Sequence, residues 1–155
     1  MNWKPFLAVA AIPIVALGAK TLVPVDDAPV VPELATHMGE LQRLTHKLAL
    51  SIDAGNASLV EMYTHESLVQ LKKIQAEVPE YEGKPVALLI DRLGYPGYVA
   101  MEEAVKNRAT DRGQLLPALD LVIQSCNNCH VATQNPFIRI TRGTGINPFN
   151  QSFAP

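Results

Sequence analysis

Cys126-Asn127-Asn128-Cys129-His130 is the cluster whose residue types and spacing carry the most specific chemistry in this chain. On a helix, residues three and four apart share a face, so two thiols and one imidazole would be presented together. This is the spacing of covalent haem attachment. Both thiols can reach the vinyl groups of a single porphyrin while His130, four residues after Cys126, turns its ring toward the iron. The expected cofactor is one haem c, covalently attached through Cys126 and Cys129, with His130 as the proximal iron ligand. A thioredoxin-like pair would need a βαβ setting, which the sequence lacks, and a zinc site would need two further thiolate or imidazole ligands. The chain has two cysteines, too few for a disulfide-dense scaffold.

The elements that must position this cluster read as helices. The 155 residues are 48% hydrophobic and 18% charged, with Leu, Ala, Glu, Gln and Lys prominent and only 6% aromatic residues. Leu34, Met38, Leu41, Leu44, Leu48 and Ile52 form one helical stripe ending at Asp53-Ala54-Gly55-Asn56. A second helix is expected from a Ser58 cap, with Glu61 completing a capping box, to the stop at Pro79. A third starts near Pro85, is interrupted at Gly94-Tyr95-Pro96-Gly97 and resumes toward Val105. A fourth starts between Asp111 and Gln114 and carries Leu115, Leu116, Leu119, Val122, Ile123 and Cys126 on one stripe through His130. Four amphipathic helices with short connections predict an all-α chain, folded as an antiparallel four-helix bundle with an irregular C-terminal tail.

Around the bundle, expected over residues 33–133, the sequence divides into three further parts. Residues 1–18, with Lys4 before an apolar run from Phe6, read as an export signal, which places the protein in the periplasm. The alternative is an uncleaved anchor, although the run is shorter than the ~20 residues a spanning helix needs. Pro24, Pro29 and Pro32 make residues 19–32 an extended linker. Residues 134–155 hold Pro136, Gly143, Gly145 and Pro148, and read as a tail ordered where Phe137, Ile138, Ile140, Phe149 and Phe153 find apolar surface. Thirteen basic against fifteen acidic side chains, a net charge of −2, argue against a nucleic-acid partner.

A CxxCH near the end of the last helix of an exported four-helix bundle resembles the class II c-type cytochromes, the cytochrome c prime family. The resemblance covers about residues 33–133 in architecture and Cys126, Cys129 and His130 residue by residue. It implies a haem lying within the bundle, held by both cysteines, with His130 proximal. In an up-down-up-down bundle the end of the last helix lies beside the start of the first, so the group facing His130 should come from about His37 to Leu41. Met38 would give a six-coordinate iron suited to electron transfer; His37 would give a bis-histidine iron; Leu41 would leave the position open, as in relatives that bind nitric oxide or carbon monoxide. Lys72, Lys73, Lys84 and Arg92 are candidates to pair with the propionates.

His46 and His65 fall at one height if the first two helices pair about Gly55 and Asn56. With Glu61 and Glu66 nearby they are weighed as a metal site, against the simpler reading of a solvated or packing pair. No Ser-His-Asp arrangement or nucleotide-binding glycine motif accompanies them. The function expected is a periplasmic monohaem electron carrier, not an enzyme. The alternatives are a gas-binding haem protein and a haem subunit of a larger redox complex. Redox proteins are the expected partners, a homodimer is compatible with the resemblance, and membrane attachment follows only if residues 1–18 are retained.

Overall fold

The computed structural model describes residues 34–109, 111–143 and 149–153. The expected export signal at 1–18 and the expected linker at 19–32 lie outside the described residues. Helix α1, Leu34–Asp53, buries Leu41, Leu44, Leu48 and Ile52 from the expected stripe. It ends where Gly55 adopts a left-handed φ of 66° and Asn56 N–H returns to Ser51 C=O at 2.9 Å, a geometry that L-residues with a Cβ resist. Helix α2, Ala57–Glu77, starts two residues earlier than Ser58 predicts. Its cap is Asn56, whose side-chain oxygen accepts from Leu59 N–H at 3.1 Å, so an Asx cap replaces the expected capping box.

The expected break at Gly94-Tyr95-Pro96-Gly97 is absent. Helix α3, Val86–Leu89, runs through one wide π turn, Ile90–Gly94, directly into α4, Tyr95–Lys106. Pro96 has no N–H to give and its ring would strike a normal α turn. The wide turn removes that conflict immediately upstream, closing with Tyr95 N–H on Ile90 C=O. Gly97 has another role: a Cβ there would lie 2.5 Å from Leu121 O and 2.6 Å from Val122 Cα, so glycine lets α4 and α5 touch backbone to backbone. Helix α5, Arg112–Ala132, is capped by Asp111, whose carboxylate accepts from Gln114 N–H at 2.9 Å.

The described chain is therefore mostly helical. α1 packs on α2 and α5, and α4 packs on α5 and α2. Leu48, Ile52, Ile74, Tyr98, Met101, Leu119 and Val122 meet in a core sealed from water. Among the described residues, no helix is long and apolar enough to cross a membrane. After α5, the short strands β1, Arg139–Ile140, and β2, Gln151–Ser152, pair antiparallel, with Ile140 opposite Gln151. This strap follows the end of α5. Ile140 is buried in it and Ile138 half-buried, whereas Phe137, Phe149 and Phe153 are exposed, so among the described tail residues the isoleucines and not the phenylalanines find apolar surface.

Candidate cofactor site

The last turns of α5, the first half of α1, the Tyr81–Lys84 loop, the π turn and the strap enclose a cavity of about 520 Å³. That volume lies in the ~300–1,000 Å³ range of cofactor sites. Cys126, Cys129 and His130 line it from α5; Met38, Leu41 and Thr45 line it from α1; Leu71, Val86 and Ile90 give it apolar walls. The helical spacing therefore brings the two thiols and the imidazole to one surface. Both cysteines are free and half-buried. Burial pushes the Cys126 thiol up to about 11 and raises Cys129 as well, so both are protonated at neutral pH.

His130 is held by a single directed contact. Its Nδ1 lies 2.8 Å from the carbonyl oxygen of Ile138, an acceptor, so Nδ1 carries the proton and donates it. The remaining nitrogen, Nε2, has no hydrogen-bond partner among the described residues and keeps its lone pair. Burial lowers the pKa of this ring, with the Ile138 contact opposing, and the imidazole is neutral at neutral pH. A neutral ring with one nitrogen anchored and the other vacant has the arrangement that a metal ligand requires. The donor set and the apolar walls fit a haem.

The chain matches no known family model, no curated protein and no solved structure.

On the α1 side, Met38 and Leu41 line the cavity and His37 does not. His37 is buried against α2, where Gln70 Nε2 donates to its backbone carbonyl at 3.1 Å and Glu77 Oε2 lies 3.3 Å from its Nε2. Of the four basic residues considered for the propionates, Lys84 lines the cavity, with Nζ donating to Gln134 at 2.9 Å. Lys72, Lys73 and Arg92 are exposed and outside the lining.

His46 and His65 do not meet. His46 faces the strap, where a Cβ on Gly143 would lie 3.0 Å from its ring. His65 lines a separate depression of about 160 Å³ with Glu61, Glu102 and Lys106, between α2 and α4. Equal height along two helices does not turn two side chains toward each other. Among the described residues, no three His, Cys, Asp or Glu side chains are grouped to hold a metal ion.

Two features of the site are not signalled by the sequence. Tyr98 is fully buried on α4 and lines the cavity, its hydroxyl 2.6 Å from Thr45 Oγ1 and 3.9 Å from Cys126 Sγ. Burial holds its phenol well above the usual tyrosine range, so it stays protonated. Asn127, a spacer of the motif, bonds both backbone groups of Ile140. Neither contact has a local signal, because each partner is brought in by tertiary folding.

Proposed function

We propose that this chain is an exported c-type cytochrome with one covalently attached haem, which passes single electrons between protein partners. What carries the reading is the end of α5, where two thiols line an apolar cavity beside an imidazole whose Nδ1 is committed to Ile138. In this reading Cys126 and Cys129 provide the thioether links and His130 the proximal ligand. When bound, a haem supplies a one-electron iron couple. The chain's own residues do the rest. Ile138 orients the His130 ring through its carbonyl, Leu71, Val86 and Ile90 keep water from the apolar walls, and Lys84 offers a cation to a propionate. No bond-making machinery is assigned.

The same reading takes the four long helical stretches as an antiparallel bundle of the class II cytochrome kind. Its support is the short connection between α1 and α2, the backbone contact of α4 with α5 at Gly97, and the packing of α1 on α5. Met38 is the sixth ligand proposed, as the thioether from α1 that lines the cavity. Leu41, which lines the same wall, favours a second reading in which that position is open to a diatomic gas.

One set of measurements tests both. Acid–acetone extraction of the purified exported protein should leave the pigment on the chain, and the mass should exceed the polypeptide by one haem. Release of all pigment, or no added mass, would sink the cytochrome reading. The reduced protein should be low-spin and bind carbon monoxide slowly. Rapid binding to a high-spin ferrous form would instead assign the open site.

A further inference from the structure

A CxxCH motif fixes its two spacers only in number, yet one spacer here is tied to a distant part of the chain. Asn127 Nδ2 donates to Ile140 O at 3.0 Å, and Asn127 Oδ1 accepts from Ile140 N–H at 2.8 Å. In an antiparallel ladder, alternate residues direct their N–H and C=O groups away from the partner strand. Ile140 is such a residue: its neighbour Thr141 donates to Asn150 O on the β2 side at 2.7 Å, while both backbone groups of Ile140 turn to α5. The Asn127 amide thus occupies the position of a third strand.

That contact fixes a register. Ile138 stands two residues before Ile140, so its carbonyl also points away from β2, and it meets His130 Nδ1 at 2.8 Å. Asn127 and His130 are three residues apart on α5 and lie on one face. Two helix side chains therefore grip two alternate positions of one extended segment. The bonds from the Asn127 side-chain amide to the Ile140 backbone admit only one alignment, because a slip of one residue would turn the N–H and C=O groups of the gripped position the other way.

We infer that Asn127 is a positioning residue: by locking the strap at Ile140 it holds the Ile138 carbonyl on His130 Nδ1 and so sets the donor strength of Nε2. This rests on the proposed role of His130 as an iron ligand. A proton shared toward a carbonyl leaves more electron density on the ring, and a more basic imidazole favours the ferric over the ferrous state. Loss of the clamp therefore raises the reduction potential.

The test compares the parent, Asn127→Leu and the exposed spacer variant Asn128→Ala in the full holoprotein, with potentiometry and amide hydrogen exchange run side by side. Asn127→Leu should exchange the Ile140 amide much faster and shift the ferric-to-ferrous preference by about tenfold, about 59 mV upward for a one-electron couple. Asn128→Ala should match the parent in both. Unchanged Ile140 exchange in Asn127→Leu would overturn the clamp, and fast exchange with an unchanged potential would overturn its control of the ligand. Should Asn127→Leu fail to fold, Asn127→Ser, which keeps a polar side chain too short to span both groups of Ile140, is read in the same two ways. A chain purified without covalent haem sinks the functional reading itself, an outcome distinct from either failure of the clamp.

Discussion

Tyr98 and Thr45 form a buried pair whose donor and acceptor can be assigned, because a threonine hydroxyl has a single proton. Thr45 Oγ1 lies 2.7 Å from the Leu41 carbonyl, which can only accept, so the threonine proton goes there. The 2.6 Å contact must then be Tyr98 donating to Thr45. Removing the two members is consequently unequal. Tyr98→Phe deletes the donor and leaves Thr45 still bonded to Leu41, at about 0.5–1.5 kcal/mol. Thr45→Val deletes the acceptor at nearly constant shape and leaves the buried phenol O–H only the weak sulfur acceptor of Cys126 at 3.9 Å, at about 1–3 kcal/mol. Denaturant unfolding of the two variants should rank Thr45→Val as the less stable. A larger loss for Tyr98→Phe would overturn this ranking and the donor assignment it rests on.

Helices α3 to α5 turn on two glycines that look alike in sequence and differ in the fold. At Gly94 an added Cβ would make ordinary contacts at 3.6–3.7 Å with Ile90 and Leu71, so Gly94→Ala should be neutral or stabilising by up to about 1 kcal/mol through lost chain entropy. At Gly97 the same methyl meets the backbone of Leu121 at 2.5 Å, and backbone cannot rotate away. Gly97→Ala should destabilise by about 3 kcal/mol or more and weaken the Gly97 N–H bond to Ser125 Oγ, now 3.0 Å. Thermal unfolding of the pair checks the opposite signs. The contrast marks what was legible in the sequence. The α1 stripe, the Gly55 stop, the Pro79 stop and the gathering of Cys126, Cys129 and His130 follow from periodicity and local chemistry. The π turn does not, because Pro and Gly signal a conflict with the α-helix without saying whether the chain breaks or widens. The Asn127 clamp and the Tyr98 pair depend on segments more than ten residues away, and the exposed phenylalanines show that apolar composition alone does not choose which tail residues anchor.

Across the folded chain, the strap is joined to the helices by hydrogen bonds and by an ion pair. Arg142 Nε donates to Asp120 Oδ1 on α5 at 2.7 Å, Asn127 holds Ile140, and Gln42 on α1 donates to the Phe149 carbonyl. The Arg142 guanidinium holds the Asp120 carboxyl below its usual range. A carboxyl depressed in the fold stabilises fully above its unfolded value, near 3.8, and that contribution disappears as pH falls through the lower folded value. Both side chains are about half exposed, 44% and 53%, so screening limits the pair to about 0–1 kcal/mol. The effect belongs to local opening of the strap. Exchange of the Thr141 amide, which bonds Asn150 O at 2.7 Å, reports it. After correction for intrinsic exchange, protection in the parent should fall as pH drops below about 4, and also with added salt at neutral pH. Asp120→Asn should begin at the lower protection and show a smaller response to both. An equal pH response in Asp120→Asn would assign the opening to another carboxylate and leave the Arg142 contact without a share in holding the strap.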